Sequence, residues 1–139
     1  MARLETRGRA RALQALYAWD VRRSSEGLER VAGLVFDDLA IAADEREFAG
    51  SLIRLIAADL RTMDRELAAV TTNWRLDRLG HIERSALRLG AAELMQGVTP
   101  PRVVIQECVR LAERFGSGQS ARFVNGVLDA LARRLGRLT

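Results

Sequence analysis

An all-helical fold is what this sequence predicts, on three observations. Apolar residues recur at helical spacing nearly everywhere, and strict alternation of apolar and polar positions is never sustained. Prolines number only 2 in 139 residues, so few positions forbid a helix interior. Capping residues and glycines fall where the apolar stripes begin and end. Together these predict a compact all-α domain of six or seven helices with no sheet.

The first helix is expected from about Arg3 to Arg22. Leu13, Leu16, Tyr17 and Trp19 share one broad face, and Arg3, Arg7, Arg11 and Arg22 cluster opposite. Arg9 breaks this division, because helix geometry turns it toward the apolar side unless the first turn frays or projects beyond the core. Ser24 or Ser25 is placed to cap a second helix, with Glu26 and Glu29 in its first turns and Leu28, Val31, Leu34, Val35 and Leu39 as its stripe. A longer periodic stretch starts at Asp44 and runs through Phe48, Leu52, Leu55, Ile56, Leu60, Met63, Leu67 and Val70. It predicts one long helix or two joined near Thr62, ended by Thr71-Thr72-Asn73.

Gly80 precedes a helix from His81 to about Met95. Its apolar residues cover more than half the circumference, as expected of a helix buried on several sides. Thr99 as N-cap, with proline at the first helical position, starts the next helix, which carries Val104, Ile105, Cys108, Leu111, Ala112 and Phe115. Gly116-Ser117-Gly118 breaks it. The last helix presents Val124, Val127, Leu128, Leu131 and Leu135. No linker or low-complexity tract divides the chain, so residues 1–139 are expected to form one domain.

Composition narrows the function. Hydrophobic residues make up 48% and charged residues 29%, the balance of a globular protein rather than a disordered one. The single Cys cannot close an internal disulfide and reads as a buried thiol in a reducing compartment. All 22 Lys+Arg positions are arginine, and against 18 acids they leave a net charge of +4, which suits an anionic partner. A GC-rich genome would also favour arginine. No run of 18 apolar residues exists, so neither a span nor a membrane partner is expected. The N-terminus lacks the apolar stretch of a signal peptide, and a cytoplasmic location is expected.

Catalytic sets are hard to assemble. One His (His81) and one Cys (Cys108) build no metal site at usual spacings. As a nucleophilic dyad they fail because Cys108 lies on the core stripe of its helix, while His81 reads as a surface or capping residue. Gly116-Ser117-Gly118 follows a helix rather than a strand and lacks the ending of a phosphate loop. Asp37-Asp38 and Asp44-Glu45 read as capping and solvated acids. Neither catalysis nor a cofactor is expected.

Two features stand out instead. The first eleven residues carry Arg3, Arg7, Arg9 and Arg11 against Glu5, a bias that a solvated helix face does not need. Tyr17, Phe115 and Phe123 supply rings of the kind that stack on unpaired bases. Tyr17 and Phe115 read first as core, and Phe123 falls at the edge of its stripe.

The second feature is an ordered set of motifs. ALQALYAWD near the start is followed by Asn73-Trp74, by Leu79-Gly80-His81-Ile82-Glu83-Arg84, and by Leu87-Arg88-Leu89 and Glu93-Leu94. Pro100 with Val103 comes next, and FGSGQSARFVNGVLDAL completes the set. Over essentially the whole chain this resembles the transcription antitermination factor NusB family. A similar helical domain fronts some rRNA cytosine methyltransferases, but this chain is too short for their catalytic domain and shows no cofactor motif.

The resemblance implies two small helical bundles and a non-enzymatic adaptor. It would bind boxA RNA together with the ribosomal protein NusE and join an RNA polymerase antitermination complex acting notably on rRNA operons. Family RNA contacts map onto Arg7, Arg9 and Tyr17 in the first helix and onto Gln119, Ser120, Arg122 and Phe123 at the start of the last. Arg3 and Arg11 join them on charge and helix geometry alone. Family acids facing NusE match Asp77 and Glu83. Thr6 and Gly8 interrupt the basic cluster, and Gly8 is expected to weaken the helix by about 1 kcal/mol relative to Ala. Some family members form homodimers. A pure protein-interaction module, with its arginine face on acidic protein, is the alternative.

Overall fold

The first stripe folds as α1 (Leu4–Arg22), and the rest of the molecule is arranged around it. The computed structural model describes residues 3–22, 26–71 and 75–139. The expected Ser24 or Ser25 cap and the Thr72-Asn73 helix end lie outside them. Among the described residues there are seven α-helices, one short 3-10 turn (Leu76–Arg78) and no strand.

Small residues explain the central place of α1. Ala10, Ala12 and Ala15 are buried beside Leu13 and Leu16, so neighbouring helices approach on more than one side. α2 (Leu28–Leu39) and α3 (Ala43–Ala58) pack on it to form the first group. Gly8 is a contact rather than a defect, because its missing side chain leaves room for the Phe48 ring of α3. The α2 stripe is rolled from the expected one. Leu28, Val31, Ala32 and Phe36 are buried, while Leu34 and Leu39 are exposed. Both stripes obey helical spacing, and the larger Phe36 side chain takes the core side.

α4 (Leu60–Val70) follows α3 with one residue between them. The junction is at Asp59, three residues before the expected Thr62. Asp59 leaves helical dihedrals (φ −147°, ψ 41°), and its N–H still donates to the Ile56 carbonyl at 3.2 Å. Buried Ile56 and Met63 are seven residues apart, so the apolar period runs through the break without a mark.

The second group is α4 with α5 (His81–Gln96), α6 (Pro101–Phe115) and α7 (Gly118–Arg134). α5 is its core, and every residue from Arg84 to Leu94 is buried. Gly90 lets α7 close on α5, since a Cβ there would stand 2.6 Å from a Leu128 methyl and 3.3 Å from Cys108 Sγ. Pro100, not Thr99, occupies the α6 N-cap, and Pro101 is the first helical residue. A residue before proline is driven out of the α region, which places Pro100 outside the helix. The core joins residues from all seven helices.

Candidate nucleic-acid interface

Three of the four arginines at or just before the start of α1 are held by acids of this chain. Arg9 is only 3% exposed. Its guanidinium forks onto Glu93 of α5 at 2.7 and 2.9 Å and reaches Glu107 of α6 at 3.1 Å. The Thr6 hydroxyl donates to the same Glu107 oxygen at 2.6 Å. Burial alone would lower the Arg9 pKa, but the hydrogen bond and field of Glu93, with that of Glu107, outweigh it and raise it. A surface role for Arg9 does not fit this position, and helix geometry had already turned it inward.

Arg7 and Arg11, one turn apart, both hold Glu45 of α3 at 2.9 Å. The hydrogen bond from Arg11 leads in keeping the Glu45 carboxyl below its ordinary pKa, against the opposing effect of burial, and Arg7 adds to it. Glu45, expected as a solvated acid, is therefore a buried anchor. Arg7 keeps 46% of its side chain exposed and Arg11 32%, so both can still meet solvent anions. Arg3 is exposed.

The other end of α1 is fixed as firmly. Asp20 accepts from Arg84 at 2.7 Å and Arg88 at 3.1 Å, and pairs with His81 Nδ1 at 2.5 Å. Arg84 also donates to the carbonyls of Leu76 and Leu79 at 2.8 and 2.9 Å, tying the 3-10 turn to α5. Burial would raise the Asp20 pKa, but hydrogen bonds from Arg84 and His81 and the field of both arginines lower it. The His81 ring meets Tyr17 edge-on, with centroids 6.0 Å apart at 85°. Tyr17, expected first as core, is 42% exposed.

At the start of α7, Ser117 caps the helix by accepting the Ser120 N–H at 3.1 Å. Gly116 permits the tight entry, because a Cβ there would stand 2.7 Å from the Ala112 carbonyl oxygen. Ser120 is nearly buried, and its hydroxyl donates to Glu83 in a short hydrogen bond. Glu83, Ser117, Gln119, Ser120 and Phe123 line a cavity of about 280 Å³ together with Arg78. Gln119 and Arg122 are exposed, and Phe123 is half-buried. A second cavity of about 400 Å³ is lined by Leu13, Gln14, Tyr17, Ile82 and Phe115.

The structure thus brings together Glu83, Gln119, Ser120 and Phe123 between the start of α5 and the α6–α7 turn, and sets Tyr17 on the second cavity, of α1, α5 and the end of α6. Arg3 lines neither of these cavities but a third, with Val103 and Arg110 of α6. Asp77, on the 3-10 turn, is exposed and pairs with Arg75 at 3.2 Å. Glu83 and Ser120, expected on separate surfaces, share a hydrogen bond. Sequence reasoning missed Glu45, Glu93 and Glu107 as arginine partners. A signal existed for the last two: both are acids at positions spaced with the core stripes of α5 and α6, as a buried arginine requires.

Charged and aromatic side chains ranged along a helical seam are the features of a helical binding protein. Among the described residues no group of three His, Cys, Asp or Glu is placed to hold a metal ion, and burial pushes the Cys108 thiol pKa up. No described helix is long and apolar enough to cross a membrane. A family model described as the NusB family matches residues 6–133. The transcription antitermination protein NusB of Anaeromyxobacter dehalogenans is 40% identical over 136 residues, which is 97% of this chain and 94% of that protein. T. maritima NusB superposes with a TM-score of 0.86 at 32% identity, covering 96% of this chain and 93% of that one. A chain from the crystal structure of antitermination factors NusB and NusE in complex with double-stranded RNA superposes with a TM-score of 0.85. It is 31% identical, covering 96% of this chain and 99% of that one. This chain belongs to the NusB family, whose members are non-enzymatic RNA-binding adaptors of transcription antitermination.

Proposed function

We propose that this protein binds boxA RNA together with the ribosomal protein NusE and promotes antitermination on rRNA operons. The observation that carries this reading is the seam itself. Exposed Arg122, Gln119 and Tyr17 and half-buried Phe123 are presented by a fold that superposes on a chain from a structure of NusB and NusE with double-stranded RNA. Arg122, with Arg3, Arg7 and Arg11, neutralises phosphates, and Phe123 and Tyr17 offer faces to unpaired bases. Arg9 has a different part: it fixes α1 against α5 and α6. Four phosphate contacts on single-stranded RNA give a salt slope of about −3. Asp77 and Glu83 meet basic groups of NusE, which sets orientation and on-rate.

The test is fluorescence anisotropy of a labelled boxA RNA against a scrambled RNA of equal length, with and without NusE. Preferential binding of boxA, tightened by NusE, is the expected result. Equal binding to both RNAs with no gain from NusE overturns the reading. It would leave a protein-interaction module or a homodimer, which analytical ultracentrifugation would then identify.

A further inference from the structure

The 3-10 turn that carries Asp77 has no buried residue of its own. The Arg75 and Asp77 side chains are 70% and 66% exposed, and they pair at the surface. Leu79, just past the turn, packs on the core. The turn itself is held through its main chain. Arg84 Nη1 donates to the Leu76 and Leu79 carbonyl oxygens at 2.8 and 2.9 Å, and among the described residues no other side chain hydrogen-bonds to that main chain. A turn held by its carbonyls leaves its side chains free to meet a partner.

The same guanidinium is fixed from its other side. Asp20 accepts from Arg84 Nε at 3.0 Å and from Nη2 at 2.7 Å. Asp20 is held in turn by Arg88 and His81. Arg84 is 7% exposed, so water competes little for these bonds. The bidentate carboxylate sets the guanidinium plane, and the plane aims the remaining nitrogen at the turn. Position along the chain adds a second point. Glu83 precedes Arg84, and its carboxylate is already held by Ser120 and leans over Gly80, where a Cβ would collide with Glu83 Oε1. One residue of α5 thus carries an acid, and the side chain of the next fixes the turn that carries another. The spacing of Asp77 and Glu83 is governed by Arg84.

We infer that Arg84, with Asp20 behind it, is a positioning residue for NusE: it locks the 3-10 turn so that Asp77 and Glu83 are presented as one preset pair of carboxylates. Arg84 acts through the turn and does not touch the partner. The inference rests on the NusE-binding reading above and adds two buried residues to it. A preset pair of charges lowers the ordering cost of binding and favours one orientation of the partner.

The test is isothermal titration calorimetry of the full chain with NusE, with Arg88→Lys as the control. Arg88 is 8% exposed and shares Asp20, but its bonds go to Asp20 and Asp64 and none reaches the turn. Arg84→Lys keeps the charge beside Asp20 and loses the reach to the carbonyls, and should weaken NusE about fivefold. Arg88→Lys should leave NusE affinity unchanged. Asp77→Asn should cost about as much as Arg84→Lys, and the double variant no more than either, because a displaced turn has no Asp77 contact left to lose. Equal losses from Arg84→Lys and Arg88→Lys, or a double variant whose losses multiply, overturn the positioning role alone. A wild type that does not bind NusE overturns the NusE reading, and this inference with it. If circular dichroism shows Arg84→Lys unfolded, the wild type decides by nuclear magnetic resonance. Slowly exchanging Arg84 guanidinium protons and protected Arg78 and Leu79 amides, which donate to Arg75 and Leu76, are expected. Free exchange at these groups overturns the inference.

Discussion

The first turns of α1 carry three arginines and the first turns of α7 carry one, yet Arg122 of α7 is the most plainly available of the four. Arg9 is enclosed by Glu93 and Glu107, and Arg7 and Arg11 share Glu45. Arg122 is exposed, with no ion pair among the described residues. Density of charge along a sequence and charge offered at a surface are different quantities. In α1 each of the three arginines is paired with an acid of a neighbouring helix, and these pairs decide how α1 meets α3, α5 and α6. In α7 Arg122 faces solvent beside a serine-capped helix start.

The largest expected effect that would break this comparison is at Arg9. Arg9→Ala leaves the Glu93 carboxylate buried without its cation and removes the nearer of two cations from Glu107, and should cost about 3–5 kcal/mol in urea unfolding. The folded fraction should keep the salt slope of RNA binding. A stable Arg9→Ala protein with a flatter slope would return Arg9 to the surface.

Next in size is Glu45→Gln, expected to lose about 1.5 kcal/mol at neutral pH because two charge-assisted hydrogen bonds weaken. Its pH dependence carries the sign. The folded pKa of Glu45 lies below its unfolded one, so its contribution is complete above the ordinary carboxylate value of about 4.3. That contribution is lost as pH falls through the lower folded value. Thermal melts from pH 6 to pH 2 should therefore fall less steeply for Glu45→Gln than for the wild type.

Gly8→Ala comes third. Helix propensity alone predicts a gain of about 1 kcal/mol. The added Cβ must displace the Phe48 ring, whose Cγ would stand 3.3 Å away, and a net loss of about 1 kcal/mol is expected from overpacking. A gain in melting temperature would show that α1 and α3 have room to spare. The smallest stability effect belongs to Arg122→Ala, within about 0.5 kcal/mol of wild type. Its salt slope for RNA should flatten by about 0.7. An unchanged slope would remove Arg122 from the interface and end the contrast.

Much of this fold was legible in the sequence. The bounds of α1 and α5 followed from unbroken stripes and from Gly80, and the burial of α5 from its wide apolar surface, whereas the Ser117 cap of α7 was not read from the sequence. The α3–α4 junction was not legible, because the stripe keeps its phase through Asp59. Nor was the roll of α2, where two stripes satisfy the same spacing. Of the candidate site, the inward turn of Arg9 could be read from its angle on the helix. Its partners could not, since Glu93 and Glu107 lie 84 and 98 residues away and only packing brings them in. Tyr17 and Phe115 looked like core because they share the spacing of core residues. At the margin of a stripe that spacing fits a cavity wall equally well.

Arg84 has a consequence for how the chain can change over generations. Its planar fork serves Asp20 on one side and two main-chain carbonyls on the other. Lysine concentrates its donors on one nitrogen and cannot span that set. Mutational drift that replaces arginine codons by lysine codons is therefore free to act at exposed positions such as Arg30, and is blocked at Arg84, as it is at Arg9. In a lineage whose genome became AT-rich, the arginines that survived would trace the internal clamps of this fold.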